Sequence, residues 1–87
     1  MSTDGDYSEV ADEQLDALEA GADPDLYNTV LDACEMIFRA PELAQARSTV
    51  LATSDGVRLR LPVAGHPPYK VFWSSAEPRV EAVLPHP

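Results

Sequence analysis

The spacing of apolar residues predicts a helix at the start of the chain. Between residues 8 and 20 one narrow apolar stripe recurs at helical spacing, and acidic residues cover the remaining surface. Asp6 or Ser8 can cap this helix, and Gly21 ends it. The stripe consists of Val10, Ala11, Leu15 and Leu18. Only this stripe is predicted to pack against other elements.

A second helix has a wider apolar face and clearer ends. Asp23 supplies an N-cap acceptor, and Pro24 follows at the first helical position, where its missing N–H costs nothing. Two adjacent apolar rows then run toward Arg39, and Pro41 stops the helix. The rows are Leu26, Val30, Ala33 and Ile37, beside Tyr27, Leu31, Cys34 and Phe38. This helix is therefore predicted to cover the core.

After one further helical turn over residues 42–47, the apolar period changes to two, which predicts strands. A Ser-Asp-Gly turn at residues 54–56 indicates a hairpin, and after it Arg58 and Arg60 alternate with apolar residues. A proline-rich break separates this hairpin from two more strands. The four predicted strands span residues 48–53, 57–63, 69–74 and 79–84.

Helices followed by strands predict an α+β fold, in which two N-terminal helices pack on one face of a small antiparallel sheet of three to four strands. Residues 1–7 are predicted to be a disordered acidic tail, and residues 8–87 a single domain. Arg58 and Arg60 should lie exposed on the face away from the helices, joined by Lys70 or Arg79 according to strand register. Trp73 or Phe72 is expected in the core.

The distribution of charge changes this picture more than its total. Residues 1–42 carry a charge of −11 and residues 43–87 a charge of +2, which together give the net charge of −9. The expected molecule has an acidic helical face and a basic sheet face. Small domains of this size often gain stability from a partner, so a homo-oligomer or a heterologous complex is an open expectation.

Several classes of function receive little support from the residues. The single cysteine, Cys34, excludes an intramolecular disulfide and fits a reducing cytoplasm. The N-terminus lacks the basic and apolar regions of a signal peptide, and no apolar run is long enough to span a membrane. His66 and His86 pair with no cysteine or carboxylate at ligand spacing, so neither a metal nor a cofactor is expected.

The open sheet face is the candidate site, and two interpretations of it remain. Its cations lie beside Tyr69, Phe72 or Trp73, which is the combination that binds single-stranded nucleic acid. A chain with a charge of −9 repels a polyanion at long range, however, and the arginines would equally serve as a solvated sheet face.

Taken in order, the chain resembles the RelE/ParE superfamily of bacterial toxin-antitoxin toxins over residues 8–87. The segment from Ala11 to Pro41, with its Ile-Phe-Arg-Ala-Pro ending, is similar to the paired helices of that family. Residues 56–63 (GVRLRLPV), 69–73 (YKVFW) and 79–86 (RVEAVLPH) are similar to its successive strands, including a terminal histidine.

The resemblance implies one of two activities and an antitoxin protein as partner. RelE-type members cleave ribosome-bound mRNA by assisting attack of a ribose 2′-hydroxyl on the next phosphate, and ParE-type members inhibit DNA gyrase. By position, Arg58 and Arg60 would contact phosphate, Lys70 or Arg79 would add positive charge, and Tyr69 or His86 would stack or carry a proton. A non-catalytic protein-interaction module that keeps the fold is the alternative.

Overall fold

The computed structural model describes residues 6–54 and 56–86 and shows an α+β protein with an antiparallel sheet. The predicted fold class is confirmed at this level. Within the described residues the elements are α1 (Glu9–Ala20), α2 (Pro24–Arg39), α3 (Pro41–Arg47), β1 (Thr49–Thr53), β2 (Gly56–Pro62), β3 (Tyr69–Ser74) and β4 (Arg79–Pro85). None of the helices in these residues is long and apolar enough to cross a membrane.

The helix starts follow the predicted capping chemistry. The Ser8 side chain accepts a hydrogen bond from the Ala11 backbone N–H at 3.0 Å, so Ser8 is the N-cap of α1. Asp23 caps α2 in the same way through the N–H of Leu26, also at 3.0 Å. The single turn predicted after Pro41 is a complete short helix, α3.

The strands form a meander in the order β1-β2-β3-β4, and each neighbouring pair is antiparallel. The alternation along β2 is as predicted, with Leu59 and Leu61 buried toward the helices. Val57 alternates to the same side but is 59% exposed. The helical layer therefore leaves the β1–β2 end of the sheet uncovered.

The sequence predicted either Trp73 or Phe72 in the core, and the structure places Trp73 there. Its ring is completely buried on the helix-facing side, and its Nε1 donates to Ser48 Oγ at 3.0 Å. Phe72 is also buried, but strand alternation places it on the opposite face. Most of the core is shared between α2 and the sheet, with Val30, Ile37, Val71, Val80 and Val83 among its buried members.

The start of the chain is attached to the sheet earlier than predicted. Residues 1–5 of the predicted tail lie outside the described residues. Asp6 and Ser8 form backbone hydrogen bonds with Val80 of β4, at 2.8 and 2.9 Å, and Tyr7 between them packs against the core. The packed domain therefore includes Asp6 and Tyr7, because their pairing with β4 is a long-range contact that local composition does not show.

Candidate functional site

Strand alternation places Arg58, Arg60 and Lys70 on the sheet face opposite the helices. Leu59 is buried toward the helices, so Arg58 and Arg60 lie on the other side. Lys70 shares this open face because its neighbour two positions along, Phe72, pairs with Arg60. The predicted orientation of both arginines is confirmed. The expected exposure is wrong, because both side chains lie half-buried against their neighbours on the sheet.

Arg60 and His86 form the closest side-chain contact on this face. Arg60 Nη1 lies 2.9 Å from His86 Nδ1. Because a guanidinium only donates, we assign Nδ1 as the acceptor, which puts the proton of a neutral His86 on Nε2. Phe72 meets the His86 ring edge to face, with centroids 5.3 Å apart and planes at 79°. The histidine at the end of the chain is thus held in one orientation.

Lys70 completes this group by binding the backbone next to the histidine. Its Nζ donates to the carbonyl oxygen of His86 at 3.1 Å and to that of Pro68 at 3.2 Å. The backbone N–H of His86 donates to the same Pro68 carbonyl at 2.9 Å. We call Arg60, Lys70 and His86 the basic cluster. Its members come from three separate segments of the chain.

One atom of the basic cluster has an unmet hydrogen-bonding capacity. Arg60 Nε is buried and has no hydrogen-bond partner among the described residues. A buried donor without a partner costs free energy unless water or a ligand accepts from it. With two cations and the Nε2–H donor of His86 at one place, the cluster can bind an anion through hydrogen bonds and positive charge.

Arg58 lies beside a shallow, largely apolar groove on the same face, with a volume of about 490 Å³. Its guanidinium makes no hydrogen bond or ion pair to another described residue, so it is available to a ligand. We call this feature the open-face groove. It is lined by Leu51, Arg58, Phe72, Glu81, Ala82 and Leu84, with Ser8 and Val10 at one end.

Arg79 does not join the basic cluster. Its Nη1 lies 3.8 Å from a carboxylate oxygen of Glu81, and Glu9 and Asp12 of α1 line the same depression. The sequence treated Arg79 and Lys70 as equivalent candidates for added positive charge. Acidic neighbours surround Arg79, whereas backbone carbonyls surround the Lys70 ammonium.

Tyr69 lies on the helix-facing side of the sheet. It packs against the core and lines a depression with Gln14 and Leu18 of α1. Successive side chains of a strand point to opposite faces, so Tyr69 must face the helices because Lys70 and Phe72 lie on the open face. The aromatic neighbour of the cluster is therefore Phe72. The sequence could not decide between them, because either face of β3 offers an aromatic residue.

The sequence did not indicate the open-face groove. Leu51 is brought to Arg58 by the β1–β2 register, and Leu84 is brought to Lys70 by the β3–β4 register. A bulge between Phe72 and Trp73 shifts the pairing with β4, so simple alternation does not predict which β4 residues line the groove. Period-two apolar residues at 82 and 84 were the available signal.

The histidines, cysteine and carboxylates of the described residues are dispersed over the molecule. No group of three or more of these side chains is close enough to hold an ion. His66 Nε2 lies 2.9 Å from Oδ2 of the exposed Asp25 of α2. No family model, curated protein or solved structure gives a significant match to this chain.

Proposed function

We propose that this protein is a RelE/ParE-like toxin that acts in the bacterial cytoplasm as an endoribonuclease on mRNA bound to the ribosome. The observation that supports the proposal is the 2.9 Å contact between Arg60 and His86, with the Lys70 ammonium beside it. Phosphodiester cleavage develops negative charge on the phosphate, which cations and hydrogen-bond donors stabilise, and the basic cluster supplies both.

Each member of the cluster has a role in that reaction. The ribose 2′-hydroxyl oxygen forms a bond to the adjacent phosphorus while the bond from phosphorus to the 5′-oxygen breaks. Arg60 and Lys70 stabilise the additional negative charge on the phosphate oxygens. The proton of the 2′-hydroxyl passes to water, and the departing 5′-oxygen takes a proton from water. His86 donates a hydrogen bond from Nε2–H to a phosphate oxygen and keeps its proton, while Arg60 fixes the ring orientation through Nδ1. No metal or cofactor takes part in this scheme.

The net charge of −9 makes a pre-assembled target important. The acidic residues are concentrated in α1 and α2, on the other side of the sheet from the basic cluster. A free polyanion is repelled at long range, but at a contact distance below the Debye length of about 8 Å the local cations dominate. Docking on the ribosome would bring the mRNA within that distance.

A non-catalytic protein-interaction module is the second candidate, and the open-face groove favours it. An apolar groove with Arg58 and Glu81 at its sides suits a side chain of a bound protein better than a phosphate. On this interpretation the partner is an antitoxin-like protein or, for a toxin of the ParE type, DNA gyrase. No bond of a substrate is broken.

Inducible expression followed by primer extension on translated mRNA tests the proposal. We expect the wild type to arrest growth and to produce discrete cleavage sites. Arg60→Ala and His86→Ala should each reduce cleavage by about a hundredfold, the usual loss when a donor that stabilises developing charge is removed.

Arg47→Ala is the matched control for this experiment. Arg47 is an exposed arginine at the end of α3, so its removal changes the net charge equally without touching the basic cluster. It should cleave like the wild type. If the wild type cleaves no mRNA on the ribosome and leaves gyrase unaffected, the toxin proposal is wrong and the interaction module takes its place.

A further inference from the structure

The two edge strands of the sheet, β1 and β4, differ in how far other segments of the chain cover them. At the β4 edge, Val80 exchanges backbone hydrogen bonds with Asp6 and Ser8. The Ser8 hydroxyl also donates to the carbonyl of Glu81, and the Val83 N–H donates to the side chain of Gln14. The start of the chain and α1 therefore cover this edge.

Among the described residues, none covers the β1 edge in a comparable way. Strand Thr49–Thr53 pairs with β2 on one side, and no hydrogen bond joins its outer side to another described residue. Natural sheets protect such an edge with proline, charged side chains or a bulge. The sequence of β1, TVLAT, contains no proline and no charge, and its pairing with β2 is regular.

Exposed apolar side chains cluster near the same β1 edge of the sheet. Val50 on β1 is 65% exposed, and Val57 opposite Ala52 on β2 is 59% exposed. Leu43 is 46% exposed on α3, the helix that leads directly into β1. The remaining large exposed apolar residue among those described is Val10, which lies near β4. An unprotected edge and an apolar border therefore coincide.

We propose that β1 pairs in antiparallel fashion with β1 of a second copy, so that two chains form one continuous sheet of eight strands. The neutral strand makes this pairing self-complementary: across a two-fold axis each residue faces a threonine, valine, leucine or alanine of the other copy. Val50 and its counterpart are covered on the helix-facing side. The inference stands independently of the proposed catalytic activity.

Two copies could associate in two ways: through their β1 edges, or by stacking the acidic helices of one copy on the basic sheet face of another. The charge distribution favours the first. Both copies carry a charge of −9, so pairing through the uncharged edge is opposed only by long-range repulsion. Salt screens that repulsion and should strengthen the dimer. Stacking of acidic on basic surfaces would be weakened by salt, and such head-to-tail contacts would continue into longer assemblies.

The dimer also has a consequence for the open face. Three strand spacings, about 14 Å, would separate the two copies of β2. Leu51 of each copy lies on the open face opposite Arg58 of its own β2. The two open-face grooves would therefore lie side by side on one surface, with an arginine on each side of the two-fold axis.

Sedimentation velocity over about 5 to 500 µM protein tests the proposal, because an interface of one strand pair is small and its affinity correspondingly weak. We expect a concentration-dependent shift from the 9.4 kDa monomer to a species of twice that mass. The dimer fraction should rise between low and high salt. Hydrogen exchange should show slower exchange of amides in Thr49–Thr53 as the concentration rises.

Val50→Lys places two ammonium groups beside the two-fold axis and should raise the dimer dissociation constant at least about tenfold. Val10→Lys makes the same change at a similarly exposed valine near the opposite edge and should leave dimerisation unchanged. The proposal is wrong if the protein stays monomeric at the highest concentration, which would leave the edge to a strand of another protein. It is also wrong if assembly survives Val50→Lys or dissolves in salt.

Discussion

At the scale of single residues, Tyr7 and Cys34 are the groups whose protonation the fold changes most. Cys34 is almost completely buried in α2, and its thiol hydrogen-bonds the hydroxyl of Tyr7. Burial raises the pKa of Cys34 to about 12 and, together with the Cys34 charge and the hydrogen bond, raises the pKa of Tyr7 to about 12. The folded state therefore keeps both groups neutral.

The first prediction is that the free energy of unfolding falls as the pH rises above about 9. The ordinary pKa of a cysteine is 9.0, so the unfolded chain releases the Cys34 proton while the folded chain retains it. Stability from this group is complete below the unfolded pKa and is lost as the pH approaches the folded pKa.

Urea denaturation of the wild type and of Cys34→Ala measures this effect. The series runs from about pH 8 to about pH 11 in steps of about one unit, so it begins below the unfolded pKa of the thiol and rises toward the folded pKa. The variant should lose less stability over the series, because it lacks the titrating thiol. Parallel curves for the two proteins would contradict the burial of a protonated Cys34.

At the scale of elements, Ser8 connects α1 to β4. Its side-chain oxygen accepts from the Ala11 N–H at 3.0 Å and its hydroxyl donates to the carbonyl of Glu81. One residue thereby caps a helix and covers part of a sheet edge. This connection fixes how the first helix is placed on the sheet.

The second prediction is that Ser8→Ala costs about 1 to 2 kcal/mol of unfolding free energy, the range for loss of an N-cap. Thr29→Ala is the matched control. The Thr29 hydroxyl only donates to the carbonyl of Asp25 within α2, a type of bond that adds little to helix stability. Thermal or urea melts of both variants make the comparison. Equal effects would mean that the Ser8 contacts contribute no more than an ordinary helical hydroxyl.

At the scale of the whole molecule, the position of the cations limits how nucleic acid can bind. Of the five bases in residues 43–87, Arg58, Arg60 and Lys70 lie on the open face and form no ion pair with a described residue. The pairing of Arg79 with Ser74 places Arg79 on the same face. Arg79 is paired with Glu81, and Arg47 is on α3. A single strand lying on the open face can therefore replace counterions at no more than three phosphates.

The third prediction concerns the salt dependence of binding to a single-stranded RNA. With three contacts, the slope of log K against log salt should not exceed about 2 in magnitude, since each phosphate contributes about 0.7. Arg60→Ala should lower that magnitude by about 0.7, and Arg47→Ala should not change it. Fluorescence anisotropy at several salt concentrations measures the slope. A slope near 5, or tight binding that is insensitive to salt, would contradict the placement of the binding surface.

Much of the secondary structure follows from local features of the sequence. Ser8, Asp23, Pro24 and Pro41 set the helix ends through capping and through the loss of an N–H, and both effects act within a few residues. The alternation of Arg58 and Arg60 with apolar neighbours similarly assigns the two faces of β2 without knowledge of any other strand. These features were predictable for that reason.

The candidate site was predictable only in part, because its assembly depends on pairing between distant segments. The contact between Arg60 and His86 joins positions 26 residues apart, and the bulge at Glu81 of β4 decides which β4 side chains reach the open face. The placement of Tyr69 on the helix side follows from the same register. Local periodicity contains no information on register, so the sequence determined the elements and the face of each β2 residue. Only the tertiary structure decided which cations meet a histidine, which one pairs with a carboxylate, and which edge of the sheet stays uncovered.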